Sequence, residues 1–439
     1  MQQHATKLPG ARRHLTITLL LAGVFPLCAA NVPAGSPESV GVSTERLARI
    51  HEAMMRHIEA GEISGAVTLV ARRGRIVHFE AHGLMDLESK RPMVKDAVFR
   101  LASMSKPVTA VAVLMMIEEG KIRLADRVSK FIPEYKDMKV AVPNPATGMP
   151  GAIPGTPGGT PGRGAVPQFY TVPAFRELTV LDLLTHTSGI ASGVISNSES
   201  NRIAPRGPTD TLADYIPRIA AAPLEFQPGS QWAYSGLAGP DVLCRIVEIV
   251  SGQSFDQFLK TRIFDPLEMK DTAFYPSESG QQRLVTLYQR SPNGLQKAAN
   301  QMALSSKTYF SGASGLTSTA EDYLQFAQML VNGGVLNGKR ILSPKTVELM
   351  ASNHVGDMFN GKLGRPSHGM GFGFLVAVVQ DSVAAGLRLS NGSFGWDGAF
   401  GTQVWIDPKE KMVTIVMIQT QVPLVQRDFE NAVMQALID

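Results

Sequence analysis

Ten consecutive residues from Val108 to Ile117 carry no charge and almost no polarity. A run that is apolar on every side fits a helix buried all round, with Glu118-Glu119-Gly120 as its stop. Such a helix needs a large core to enclose it. At 439 residues, 44% of them hydrophobic and 18% charged, the chain has the material for one, and disorder of the chain as a whole is excluded. Just ahead of the run stands Ser103-Met104-Ser105-Lys106-Pro107. Proline is tolerated only near a helix's first turn, so the helix mouth falls here. Ser103 and Lys106 are three apart, which places both side chains on one face once the helical turn has begun by Ser103.

That pairing suits nucleophilic catalysis. A serine hydroxyl attacks poorly until a neighbour takes its proton, and a lysine can do so only when neutral, a state that burial favours. Helix N-terminal N–H groups would also help to hold an oxyanion. Ser105 is adjacent to the same lysine in sequence, but neighbours one apart do not face each other. Ser103 is therefore the candidate nucleophile and Lys106 its partner.

Met1 to Ala30 has a basic start, an apolar stretch from Leu15 to Leu27, and small residues at Cys28-Ala29-Ala30. This is the pattern of a secretory signal peptide, too short and one-sided for a stable span, so export is expected with no membrane anchor after cleavage. Removing Lys7, Arg12 and Arg13 with it takes the formal charge from +4 to +1. A near-neutral mature protein gives no argument for nucleic acid or an anionic membrane as partner. Cys244 would be the one remaining cysteine, which excludes an intrachain disulfide, and its apolar helical surroundings mark a core thiol.

Along the mature chain, residues 43–60 fit an amphipathic helix with Leu47, Ile50, Met54 and Ile58 on one face. Residues 65–83 alternate around Arg73-Gly74 as a hairpin. Residues 142–166 are rich in proline and glycine and bury too little to order themselves, so they form a loop within the fold. A short helix over 179–184 leads into Thr185-His186-Thr187-Ser188-Gly189. His186 is either a base oriented by hydroxyls or, the preferred reading, a structural ring bonded to turn backbone. Helices fill 211–276, among them an aromatic loop, Gln231-Trp232-Ala233-Tyr234-Ser235-Gly236. Thr317-Ser318-Thr319 caps a helix over 320–331. Strands are expected at 371–379, 398–406 and 412–419, and a final helix over 424–437. Strands at both ends with helices between indicate an α/β (α+β) protein, an antiparallel sheet closed by the two chain ends and flanked by N- and C-terminal helices. On this reading residues 31–140 and 300–439 form the α/β part of one catalytic domain, and 141–299 a mostly helical insertion.

Ser103-x-x-Lys106, Tyr234-Ser235-Gly236 and Trp396-Asp397-Gly398, in that order and with the flanks around His186 and Gly401, resemble the serine β-lactamase and penicillin-binding-protein superfamily. The closest likeness is to its class C-like esterases, the family VIII carboxylesterases. The resemblance implies an acyl-enzyme on Ser103, with Lys106 and Tyr234 sharing the work of general base. It implies an oxyanion hole from the backbone N–H groups of Ser103 and Ala399 on an edge strand, and no metal or organic cofactor. Class C β-lactamases and peptidases carry an asparagine where this chain has Gly236 and a lysine where it has Trp396. Tryptophan holds a substrate carboxylate poorly, so Trp396 and Gly398 are expected to wall a site for neutral, short-chain esters. Asp397, on the opposite strand face, is assigned no role. The rivals are a β-lactamase, a D-alanyl peptidase or acyltransferase, and a catalytically idle protein that binds cell-wall peptide.

Overall fold

The computed structural model describes residues 32–144 and 166–439, with Met1, Gln2 and His4. The signal-peptide reading of 1–30, those three residues apart, and most of the Pro/Gly-rich stretch, residues 145–165, fall on residues outside the described ones. Helix α1, Thr44–Glu59, starts where the Ser43 side chain accepts from Arg46 N, and it buries Leu47, Ile50 and Met54. Strands β1 (Gly65–Arg72) and β2 (Arg75–Asp86) form the expected hairpin. Its turn residues Arg73 and Gly74 both have positive φ, the conformation that matches strand twist. β2 continues to the edge strand β3, Arg91–Pro92.

Helix α2 runs from Lys106 to Glu118 with Pro107 in its first turn, and everything from Lys106 to Met116 is buried. The chain then leaves through Gly120 at φ 71°. Strands β4 (Lys139–Pro143) and β5 (Phe169–Pro173) pair with Pro143 opposite Phe169, so the two ends of the Pro/Gly-rich stretch are held side by side. Helix α3 (Val180–Leu184) opens with a Thr179–Asp182 capping box. Helices α4 (Ala238–Ser251) and α5 (Ala320–Val331) follow.

The C-terminal part supplies β6 (Met370–Phe372), β7 (Ala377–Val379), β8 (Phe394–Asp397), β9 (Gln403–Asp407), β10 (Met412–Met417) and helix α6 (Pro423–Met434). The sheet is eight-stranded, in the order β6-β7-β8-β9-β10-β1-β2-β3. Its last strand in sequence pairs with its first, with Val67 opposite Met417. This is the antiparallel sheet joining both chain ends that the strand pattern indicated. Period-2 alternation splits its side chains. Val70 and Val416 meet Ile50 and Met54 of α1 and Phe429 and Val433 of α6, whereas Leu69 and Ile415 share a core with Leu114 of α2 and Phe326 of α5.

Two strand expectations need correction. Residues 371–379 are a hairpin, β6 to β7, broken where Leu375 takes φ 57° and its N–H bonds Leu184 O. Residues 398–406 hold a turn followed by β9, because Gly398 N bonds Thr402 O across the corner. Trp396-Asp397-Gly398 thus closes a strand rather than opening one.

Candidate active site

Ser103 sits in a 3-10 turn, Ala102–Ser105, that runs directly into α2. Ala102 holds φ 47°, a left-handed conformation costing a non-glycine residue about 1–2 kcal/mol. The turn is fixed around it: Leu101 N bonds Leu316 O, and Tyr323 Oη donates to Met104 O. Ser105 Oγ accepts from Leu316 N, so the second serine is committed to backbone. Lys106 is fully buried, and its Nζ donates to Ser103 Oγ (3.1 Å), Gly236 O (2.8 Å) and Ala313 O (2.8 Å). Tyr234 Oη lies 2.7 Å from Ser103 Oγ, and Lys106 Nζ lies over its ring. The three residues singled out by the motifs therefore converge on one oxygen, and Ser103 itself is half-buried.

Two residues hold this arrangement from behind. His186, at φ 55°, accepts from Ser235 N through Nδ1, which leaves its proton on Nε2. Its ring packs against Trp232, Tyr234 and Phe372. Burial, then the nearby charge of Lys106, push its pKa well below the usual histidine value. It is a neutral ring bonded to loop backbone, as its structural reading expected. Asp241, one turn into α4, was missed by the sequence reading. Wholly buried, it accepts from Tyr309 Oη, Ser311 Oγ and Ala313 N, and burial pushes it up to about 6. It fixes the segment whose Ala313 carbonyl meets Lys106. A lone acid heading an apolar helix run was the signal available.

The strand motif is placed differently from expectation. Trp396 is 2% exposed, its ring enclosed by Tyr234, Phe359 and Phe372 and by the Arg365 guanidinium. Protein covers it, so it is no open wall. Gly398 is buried too: a Cβ there would lie 2.2 Å from Leu101 O, which makes it a point of close approach to the Ser103 turn. Thr402 Oγ1 donates to that same Leu101 O. Ala399 is exposed, in the turn after β8, and β8 lies between β7 and β9 rather than at the edge. Asp397 pairs with Arg365 at 3.0 Å. Beyond Asp397 and Gly398 opens a cavity of about 500 Å³, lined also by Arg388, Arg427 and Glu430.

Against this geometry stand the likenesses to known proteins. An uncharacterized protein of Mycobacterium tuberculosis is 33% identical over 379 residues, 84% of this chain and 89% of its own. Esterase EstB of Burkholderia gladioli is 28% identical over 85% of this chain and 90% of its own. Among solved structures, EstCE1, described as a hydrolase with promiscuous acyltransferase activity, superposes with a TM-score of 0.71 at 27% identity, covering 89% of this chain and 99% of its own. The family model named Beta-lactamase matches residues 49–437. With a matching fold, a serine met by lysine and tyrosine, and a family match over nearly all of its described length, this chain belongs to the Beta-lactamase family of hydrolases and has esterases among its relatives.

Proposed function

We propose that the protein is an exported carboxylesterase that cleaves short-chain carboxylic esters through an acyl-enzyme on Ser103. The observation carrying this reading is the convergence of Lys106 Nζ and Tyr234 Oη on Ser103 Oγ, at 3.1 and 2.7 Å. Ser103 Oγ bonds to the ester carbon as its proton passes to the Lys106–Tyr234 pair, and the carbonyl oxygen becomes an alkoxide. The N–H groups of Ser103 and of the exposed Ala399 serve that oxygen. Collapse breaks the bond to the alcohol, which leaves with the proton held by the pair. Water then repeats the sequence and frees the acid. An esterase among the relatives supports the substrate class. The strand lysine that helps hold a β-lactam carboxylate in class C enzymes is replaced by covered Trp396, which supports neutral esters over β-lactams.

The test is hydrolysis of p-nitrophenyl butyrate and of nitrocefin by wild type and Ser103→Ala. Ester turnover lost in the variant, with little nitrocefin cleavage, is the expected result. Brisk nitrocefin turnover would replace this reading with a β-lactamase, and no turnover of either substrate would favour a binding role.

A further inference from the structure

On β2, four strands across the sheet from β8, His78, Glu80 and His82 stand at alternate positions, hence on one face. Their partners across the hairpin are Val70, Thr68 and Ala66, and that face is turned toward α1. Helix α1 contributes His51. His51 Nδ1 and Glu80 Oε1 are 2.6 Å apart, Glu80 Oε1 and His82 Nδ1 are 3.8 Å apart, and all three atoms lie within 4.8 Å of one another. The His82 side chain is 0% exposed, yet its Nδ1 has no hydrogen-bond partner. Buried polar atoms are nearly always satisfied, so this nitrogen, aimed at a carboxylate and a second imidazole, calls for a ligand.

Its other nitrogen already has a partner. Thr68 Oγ1 lies 2.8 Å from His82 Nε2 and 2.7 Å from His78 Nε2. One hydroxyl has one proton: if it donates to His78 it accepts from His82, which puts the His82 lone pair on Nδ1. Orientation of a ligating imidazole through its second nitrogen is the usual support of a metal site.

We propose that His51 Nδ1, His82 Nδ1 and Glu80 Oε1 form a binding site for a divalent transition-metal ion of the zinc class, with water as the fourth ligand. Zinc bonds to nitrogen and carboxylate oxygen run about 2.0–2.2 Å, so tetrahedral donors stand roughly 3.3–3.5 Å apart. The separations seen here bracket that value. His51 and Glu80 have side chains 52% and 38% exposed, free to close the difference and leaving the water position toward solvent. Two neutral nitrogens and a carboxylate suit zinc better than calcium or magnesium, which want oxygen. The ion would clamp α1 to β2. Four inter-strand steps separate β2 from β8, about 19 Å across the sheet, so it would stand apart from the Ser103 chemistry.

Chelator-stripped protein titrated with Zn²⁺ against a chromophoric competitor, and separately with Co²⁺, tests this. Expected are one equivalent bound, intense visible Co²⁺ bands of a tetrahedral site, and a Tm rise of about 3 °C at a hundredfold Zn²⁺ excess over Kd. His51→Ala and Glu80→Gln, both at exposed side chains that the fold does not need, should each weaken Zn²⁺ at least about tenfold, and ester hydrolysis should stay as in wild type. Absence of binding, or binding that neither substitution changes, would overturn the proposal and leave a plain His51–Glu80 ion pair.

Discussion

Ser103 Oγ is approached by a phenol and an amine, and the two can be separated by substitution. Tyr234→Phe keeps the ring packed between His186 and Trp396 and deletes only the hydroxyl that meets Ser103. The expected outcome in steady-state kinetics is a kcat lower by about 10²–10⁴ with KM and Tm little changed, the signature of a lost proton-transfer group. Ser105→Ala should do the reverse. Leu316 N loses its buried acceptor, which costs about 1–3 kcal/mol in denaturant unfolding, while kcat stays near wild type. Spacing alone could rank Ser103 above Ser105, because the helix period decides which serine faces the lysine. It could not reveal Asp241, whose meaning comes from Tyr309, Ser311 and Ala313 folding back on it from seventy residues away.

The turn between β8 and β9 governs how the sheet meets the Ser103 turn. Gly398→Ala would put a carbon 2.2 Å from Leu101 O and 2.3 Å from Thr402 Oγ1, far inside contact distance, so the turn must shift away. A displacement near 1 Å is enough to cost about 10²-fold in rate. The variant is therefore expected to lose about that much kcat/KM on p-nitrophenyl butyrate and, through overpacking, about 1–3 kcal/mol of stability by urea unfolding. Elements with strong periodicity were legible from the sequence: α1, the β1–β2 hairpin and α2 have ends within three residues of expectation. The breaks inside 371–379 and 398–406 were not: Leu375 turns within an apolar stretch, where hydrophobicity does not change, and the 398–402 corner is closed by a backbone bond, Gly398 N to Thr402 O, that the strand pattern does not carry. The covering of Trp396 was hidden for a related reason. Phe359 and Phe372 reach it across the fold, and no local pattern announces that.

At the scale of the whole molecule, buried carboxyls give stability a pH dependence of unusual sign. Burial pushes Asp322 up to about 6, as it does Asp241. The folded form then holds a proton that an unfolded aspartic acid gives up near 3.8, so this contribution is present at low pH and is lost as pH rises toward 6. Asp322→Asn keeps an acceptor for Asp271 N and Thr272 Oγ1 and removes the titration. The stability difference between wild type and variant, measured by urea unfolding at pH 4.5 and pH 7, should change by ~2 kcal/mol in favour of wild type at the lower pH. An unchanged difference would mean that Asp322 is ionised in the fold at both.

The ladder of β4 and β5, closed by Pro143 opposite Phe169, has a practical side. Because the two strands hold these ends together, inserting a longer flexible segment between them adds little closure cost, about 0.6 kcal/mol for each doubling of its length. The enzyme thus offers a port. An epitope, a fluorophore-bearing peptide or a small guest domain could be carried between Pro143 and Phe169, and the hydrolase itself would report whether its host fold had noticed.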